Sequence, residues 1–221
     1  LPLLQDGKTT TSWGTTLFLM AAAWKADMDV DKDYNTTEFW AGNRARSQLL
    51  AKFFPKGNAP AVCIKDMAEE AGDDRALFHG IDRDLTVITP TEFTSGYAVG
   101  KFRNTYTAGT PGHSNQFVDT DFFLMRSAEA YLIAAEADAR INGGTTSATG
   151  TGYINELRSR ANTSTQNQFT LQQILDERAR ELYFEGFRRT DLIRFGQYHS
   201  DDYLWDWKGG VPTGVSFPAT R

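Results

Sequence analysis

Apolar residues recur at helical spacing most clearly between Asp119 and Tyr198, and three helices are expected there. In the first, Met125, Ala128, Leu132, Ala135 and Ala139 form one stripe whose alanines invite close packing, and Asn142, Gly143 and Gly144 stop it. A second, over about 153–161, presents Ile154, Leu157 and Ala161. Thr170 and Gln173 make a capping box for the third, which runs on towards Tyr198 with Ile174, Leu175, Ala179, Leu182, Tyr183 and Gly186 on one face.

Upstream the pattern is shorter and more broken. Helices are expected over 43–54, closed by Pro55, and over 61–71. The β-branched and aromatic runs 85–90 and 96–102 predict two strands of a hairpin. For the segment SWGTTLFLMAAAWKA, a strand and a short helix both fit. The polar stretch 103–118 reads as a loop or domain seam, and 199–221, rich in Gly and Pro after Tyr203, Trp205 and Trp207, as a loop over the helices.

Charge changes the picture of the third helix. Glu177, Glu181 and Glu185 stand four apart on one face, a repulsive arrangement unless cations oppose it. Arg126, Arg158, Arg160 and Arg178 are the expected opponents, which makes these charges structural rather than catalytic.

The 221 residues carry a net charge of -5, so no broad basic face favours nucleic acid. Cys63 is the single cysteine, which excludes an intrachain disulfide and a cysteine-rich zinc site. The longest apolar run, Leu17 to Trp24, is far too short to span a bilayer. His79, His113 and His199 have no glutamate three residues before them, which excludes a di-iron bundle, and no H-E-x-x-H or G-x-S-x-G occurs. Gly96 to Lys101 fails as a phosphate loop, with three residues rather than four between its glycines.

Two upstream features carry candidate chemistry. Asp27, Asp29, Asp31, Asp33, Asn35 and Glu38 fall at the ligand positions of a calcium loop, but Lys32 stands where a glycine makes the turn. A solvated acidic loop is therefore the expected reading, with calcium as the alternative. Trp13, Trp24, Tyr34, Trp40, Trp205 and Trp207 lie outside any clean apolar stripe. Flat aromatic faces rimmed by amides and arginines suit sugars, whose C–H faces stack while their hydroxyls hydrogen-bond.

The blocks Arg126-Ser-Ala-Glu129 to Ala135-Glu136-Ala137, Ile154-Asn155 to Arg158-Ser-Arg160-Ala161, Ile174 to Glu177-Arg178, Glu181 and Glu185-Gly186, and Arg188 with Asp191 to Gly196 follow in order. In them the chain resembles the SusD/RagB family of outer-membrane nutrient-binding lipoproteins. Asp74-Arg75 and Lys101-Phe102 look like weaker upstream marks, whereas Asn162 replaces the family's usual glycine and Arg189 and Thr190 stand where aromatics are common. The resemblance implies a mainly α, tetratricopeptide-like α/α superhelical fold with long irregular loops and the small hairpin.

It further implies a non-catalytic protein with no cofactor, held on the extracellular face of the outer membrane by a lipid anchor outside this chain. Such a protein captures an oligosaccharide for import through a TonB-dependent SusC-like transporter. A scaffold on that transporter and a peptide receptor are the alternatives. By region, the division is 1–118 for an irregular ligand-binding part, 119–198 for the helical core and 199–221 for a truncated terminal loop. Trp24, Tyr34 and Trp40 are the nominated ligand contacts, and Glu129 and Glu136 join Arg158, Arg160, Glu177, Arg178, Glu181 and Glu185 as structural ion-pair residues.

Overall fold

A computed structural model of the chain describes residues 2–3, 15–25 and 34–198. Among them the order is β1 (Pro2–Leu3), α1 (Thr15–Ala21), β2 (Arg44–Ala45), α2 (Ser47–Leu50), α3 (Ile64–Ala71), β3 (Phe78–His79), β4 (Tyr97–Val99) and β5 (Phe122–Phe123). Four helices follow: α4 (Ser127–Ile141), α5 (Ala148–Arg160), α6 (Leu171–Leu182) and α7 (Arg188–Arg194). None of the described helices is long and apolar enough to cross a membrane.

The helical half forms as its pattern dictates. Ala128, Leu132, Ala135 and Ala139 of α4 are buried against Ile154 and Leu157 of α5 and Ile174 and Leu182 of α6. Helix α4 packs on both α5 and α6. Small residues bring α4 and α5 together: a Cβ on Gly150 would fall 2.2 Å from Asp138 Oδ2. Both carboxylate oxygens of Asp138 already accept bonds from Ser147, from its N–H and its hydroxyl, each at 2.7 Å. The turn between the helices is therefore fixed by α4 itself.

Helix α5 ends at a left-handed residue, and here the asparagine at 162 has a physical explanation. Its φ of 50° is one that asparagine tolerates better than most side chains. It also contributes what glycine lacks, a side-chain amide that donates to Asp74 Oδ2 at 2.5 Å. Helix α6 begins with the expected capping box, Thr170 Oγ1 accepting from Gln173 N and Gln173 Oε1 from Thr170 N.

Four local expectations are corrected. The third helix does not run to Tyr198: Tyr183 is extended, Phe184 and Gly186 have φ of 60° and 86°, and α7 starts afresh at Arg188. The helix over 43–54 shrinks to Ser47–Leu50, because Arg44 and Ala45 join a sheet. No hairpin joins 85–90 to 96–102. Instead β4 pairs antiparallel with both β2 and β3, Ala98 standing opposite Arg44 and His79. The N–H groups of Ile88 and Thr89 bond Ser95 Oγ, at 2.7 and 2.8 Å, so that segment turns rather than pairing as a strand. Finally Met125 lies outside α4 and is exposed.

The upstream half builds its own core around this sheet. Leu17, Met20, Trp24, Leu50, Phe53, Met67, Phe78, Tyr97 and Val99 are buried together, and Tyr183 enters from beyond the end of α6. Its ring lies 5.3 Å from that of Phe78 and 6.2 Å from that of Phe53. The segment with undecided periodicity supplies α1, whose Leu17, Met20 and Ala21 face this core. The tail 199–221 lies outside the described residues.

Leu132 is fully buried where α4 meets its two neighbours. Truncation to alanine should cost about 2–5 kcal/mol, the range for emptying such a site, and urea denaturation measures it.

Candidate functional site

Helix α6 points two glutamates into the protein, and its break aims a third. Glu177 is fully buried: Arg158 Nη1 reaches its Oε2 at 2.7 Å and Arg180 Nη2 at 2.5 Å. Arg75 Nη1 stands 2.8 Å from Oε1, too poorly aligned for a hydrogen bond, so that contact is electrostatic. Glu181 takes Arg160 at 2.6 Å, Arg126 at 2.5 Å and Arg75 at 3.1 Å. Glu185 takes Arg126 Nε at 2.7 Å and the ammonium of Lys101.

The break in α6 is held by the same cations. Carbonyls at a helix end have no intrahelical partner. Lys101 Nζ donates to the carbonyls of Glu181 at 3.0 Å and Tyr183 at 2.8 Å, and Arg126 Nη2 to that of Glu181 at 2.7 Å. The positive charges thus sit at the negative end of the helix dipole. Lys101 also lies over the Tyr183 ring, 4.4 Å from its centroid.

Burial alone would raise the carboxyl of Glu181, but the bonds and charges of Arg126 and Arg160 outweigh it and hold it down to about 2. In Glu177 burial is likewise outweighed, by Arg180, Arg75 and Arg158, and its carboxyl too is lowered. Lys101 goes the other way: burial exceeds the help from Glu185 and its ammonium is pushed down to about 8. Burial raises the Tyr183 phenol, whose hydroxyl donates to the carbonyl of Arg75 at 2.7 Å.

The expected opponents are thus partly right. Arg126, Arg158 and Arg160 face the α6 glutamates, whereas Arg178 binds Asp191 of α7 at 2.8 Å. Glu136 pairs with Arg140 at 2.9 Å and with Arg194. Glu129 makes no ion pair among the described residues; it lines a second cavity, of about 420 Å³, with Arg178 and Arg194. Three cations were not matched to the glutamates from sequence: Arg75, Lys101 and Arg180. The first two stood among the weak upstream marks, and only the fold brings them 80 to 106 residues along the chain to α6.

Trp24 and Tyr34, nominated as ligand contacts, are core residues. They are 1% and 8% exposed, their rings 4.5 Å apart, with the Tyr34 hydroxyl donating to the carbonyl of Gly100 at 2.9 Å. Neither offers a face to a ligand. Trp40 does, at 41% exposed: it lies beside exposed Phe18, centroids 6.4 Å apart, with exposed Phe39 next in sequence. Its Nε1–H donates to Glu38 Oε2 at 3.0 Å, which fixes the indole. Glu38 is thereby engaged with Trp40, while the calcium candidates Asp27, Asp29, Asp31 and Asp33 lie outside the described residues, as do Trp13, Trp205 and Trp207.

A cavity of about 640 Å³ opens beside the glutamate cluster, walled by Lys101 to Thr107, Asp119 to Asp121, Phe123, Arg126 and Arg160. Its size is that of a small-ligand site.

Residues 3–217 match the model of the SusD family. The chain belongs to the SusD family. It is 37% identical to the starch-binding protein SusD of Bacteroides thetaiotaomicron, over 98% of this chain and 44% of that protein. A laminarin binding SusD-like protein superposes with a TM-score of 0.56 at 21% identity, over 89% of this chain and 41% of that one. The surface glycan-binding protein A from Bacteroides thetaiotaomicron, solved in complex with laminarihexaose, gives 0.52 at 21% identity, over 91% of this chain and 41% of that one. The SusD-family chain thus spans less than half the length of these relatives, and its helix-rich, tetratricopeptide-like architecture is theirs.

Removing the Glu181 charge leaves Arg126 with Glu185 alone and takes from Arg160 its ion-pair partner among the described residues. Glu181→Gln should therefore cost about 3–5 kcal/mol in urea denaturation at pH 7. The pH dependence has a definite sign. A carboxyl that titrates near 4.5 when free and about 2 when folded contributes full stability above 4.5 and loses it as pH falls towards 2. The native protein should weaken through that window, and the glutamine variant should show a shallower fall.

Proposed function

We propose that this chain binds oligosaccharide without catalysing a reaction, as part of a cell-surface nutrient receptor. Its 37% identity to a starch-binding protein along nearly its whole length carries this reading. On the chain itself, the ledge of Trp40 and Phe18 supports it, since exposed rings held in place are what a sugar face stacks upon. On this reading the protein stands on the extracellular face of the outer membrane and passes its ligand to a TonB-dependent SusC-like transporter.

A second reading, a scaffold that contacts the transporter and binds no sugar, is favoured by one observation. Ala130, Ile133, Ala137 and Ile141 form an exposed apolar stripe along α4, with Ile141 84% exposed. Such a stripe suits a packing partner better than a polar ligand.

Calorimetric titration with maltoheptaose and laminarihexaose separates the two. Glycan binding predicts a measurable Kd that Trp40→Ala weakens about tenfold or more, the loss of one stacking face. Trp24→Ala should instead lower stability by about 3–5 kcal/mol, as for a buried indole. If neither oligosaccharide binds and the transporter co-purifies with the chain, the scaffold reading replaces this one.

A further inference from the structure

The 640 Å³ cavity beside the glutamate cluster is not explained by the ion pairs that build its floor. Six basic and five acidic side chains line it, and the commitments of the two sets differ. Glu181 and Glu185 are taken by Arg126, Arg160 and Lys101. Asp119 Oδ2 accepts from the Tyr106 hydroxyl at 2.9 Å and the His113 N–H at 2.8 Å, and His113 Nδ1 lies 2.6 Å from it. Asp74 holds the Asn162 amide. Asp121 too is engaged within the protein.

The cations are less fully used. The guanidinium of Arg103, on the cavity wall, is exposed and has no partner among the described residues. Arg160 binds Glu181 through Nη2 alone, with its side chain 55% exposed. Tyr106 and Phe123, each nearly half exposed, present rings to the same space, and the bond to Asp119 fixes the phenol.

We infer that this cavity binds a uronic acid residue of an acidic oligosaccharide, with Arg103 and Arg160 pairing its carboxylate and the Tyr106 ring stacking on its sugar face. The inference rests on the reading of the chain as a glycan binder and adds a ligand class to it. A planar carboxylate matches the guanidinium fork in a way that a neutral hydroxyl does not. The volume admits a short oligosaccharide. The carboxylates on the floor are already neutralised, so an incoming anion meets the Arg103 guanidinium and the exposed part of Arg160 rather than bare negative charge.

The test is calorimetric titration of the full chain with trigalacturonate and with maltotriose, at low and at physiological salt. The inference expects trigalacturonate to bind more tightly, and to weaken as salt screens an exposed pair. Arg103→Ala should weaken trigalacturonate about tenfold and Arg103→Glu more, leaving maltotriose and the thermal midpoint unchanged, because the Arg103 side chain has no partner among the described residues. Tyr106→Leu should weaken it as well.

If maltotriose binds and trigalacturonate shows no preference or no response to Arg103→Glu, this inference fails while the glycan reading stands. If neither sugar binds, and longer neutral oligosaccharides also fail, both fall together. Equal binding of free sulfate at the same arginine, competing with trigalacturonate, would reduce the site to a general anion contact and overturn the assignment to a sugar acid.

Discussion

Everything in this molecule depends on neutralising three glutamates brought to one side by a helix. A carboxylate placed where Glu177 is, with no exposure, cannot stay charged unless cations and hydrogen bonds replace the water it has lost. The protein supplies them from every direction: Arg158 and Arg160 from α5, Arg126 from the approach to α4, Arg180 from α6 itself, and Arg75 and Lys101 from the upstream half. Such a cluster contributes little net stability compared with apolar packing of the same volume. It contributes geometry, because only one arrangement of these elements leaves no charge unpaired.

That geometry joins two cores. The helical core of α4, α5 and α6 and the sheet-centred upstream core bury separate sets of side chains. They meet at the broken end of α6, where Tyr183 fills the upstream core and Lys101 reaches back to cap the helix carbonyls. The left-handed φ of Phe184, costly for an aromatic residue, is held by its packing against the upstream core. Breaking the helix there also turns α7 so that Arg194 reaches Glu136 and Asp191 reaches Arg178. A continuous helix would leave all four charges without these partners.

The cluster carries the marks of the family, and the proposed ligand faces are borne by other residues. Buried ion pairs tolerate few substitutions, so the residues that mark the family are those that set the packing. The candidate ligand faces lie away from its buried centre: the ledge at Trp40, and the cavity wall at Arg103 and Tyr106, which borders the cluster at Arg160. Both are borne by connecting segments that the two cores hold still, an arrangement suited to varying the ligand without disturbing the fold.

The helices α4, α5 and α6, their stripes, the capping box at Thr170 and the need for cations opposite Glu177, Glu181 and Glu185 are determined by the sequence alone. Each is a short-range matter, with periodicity of 3.6 or a contact within four residues. So is membership of the family, since its blocks are local strings. The tertiary structure alone decided which cations answer, because Lys101 and Arg75 lie 80 and 106 residues from Glu181 in sequence and are pressed against α6 only by the upstream core. It likewise decided which aromatics face outward. Trp24 and Trp40 both stand outside any clean helical stripe, yet one closes a core and the other stands on the surface. That difference arises from the elements packed above each ring, about which the neighbouring residues carry no information.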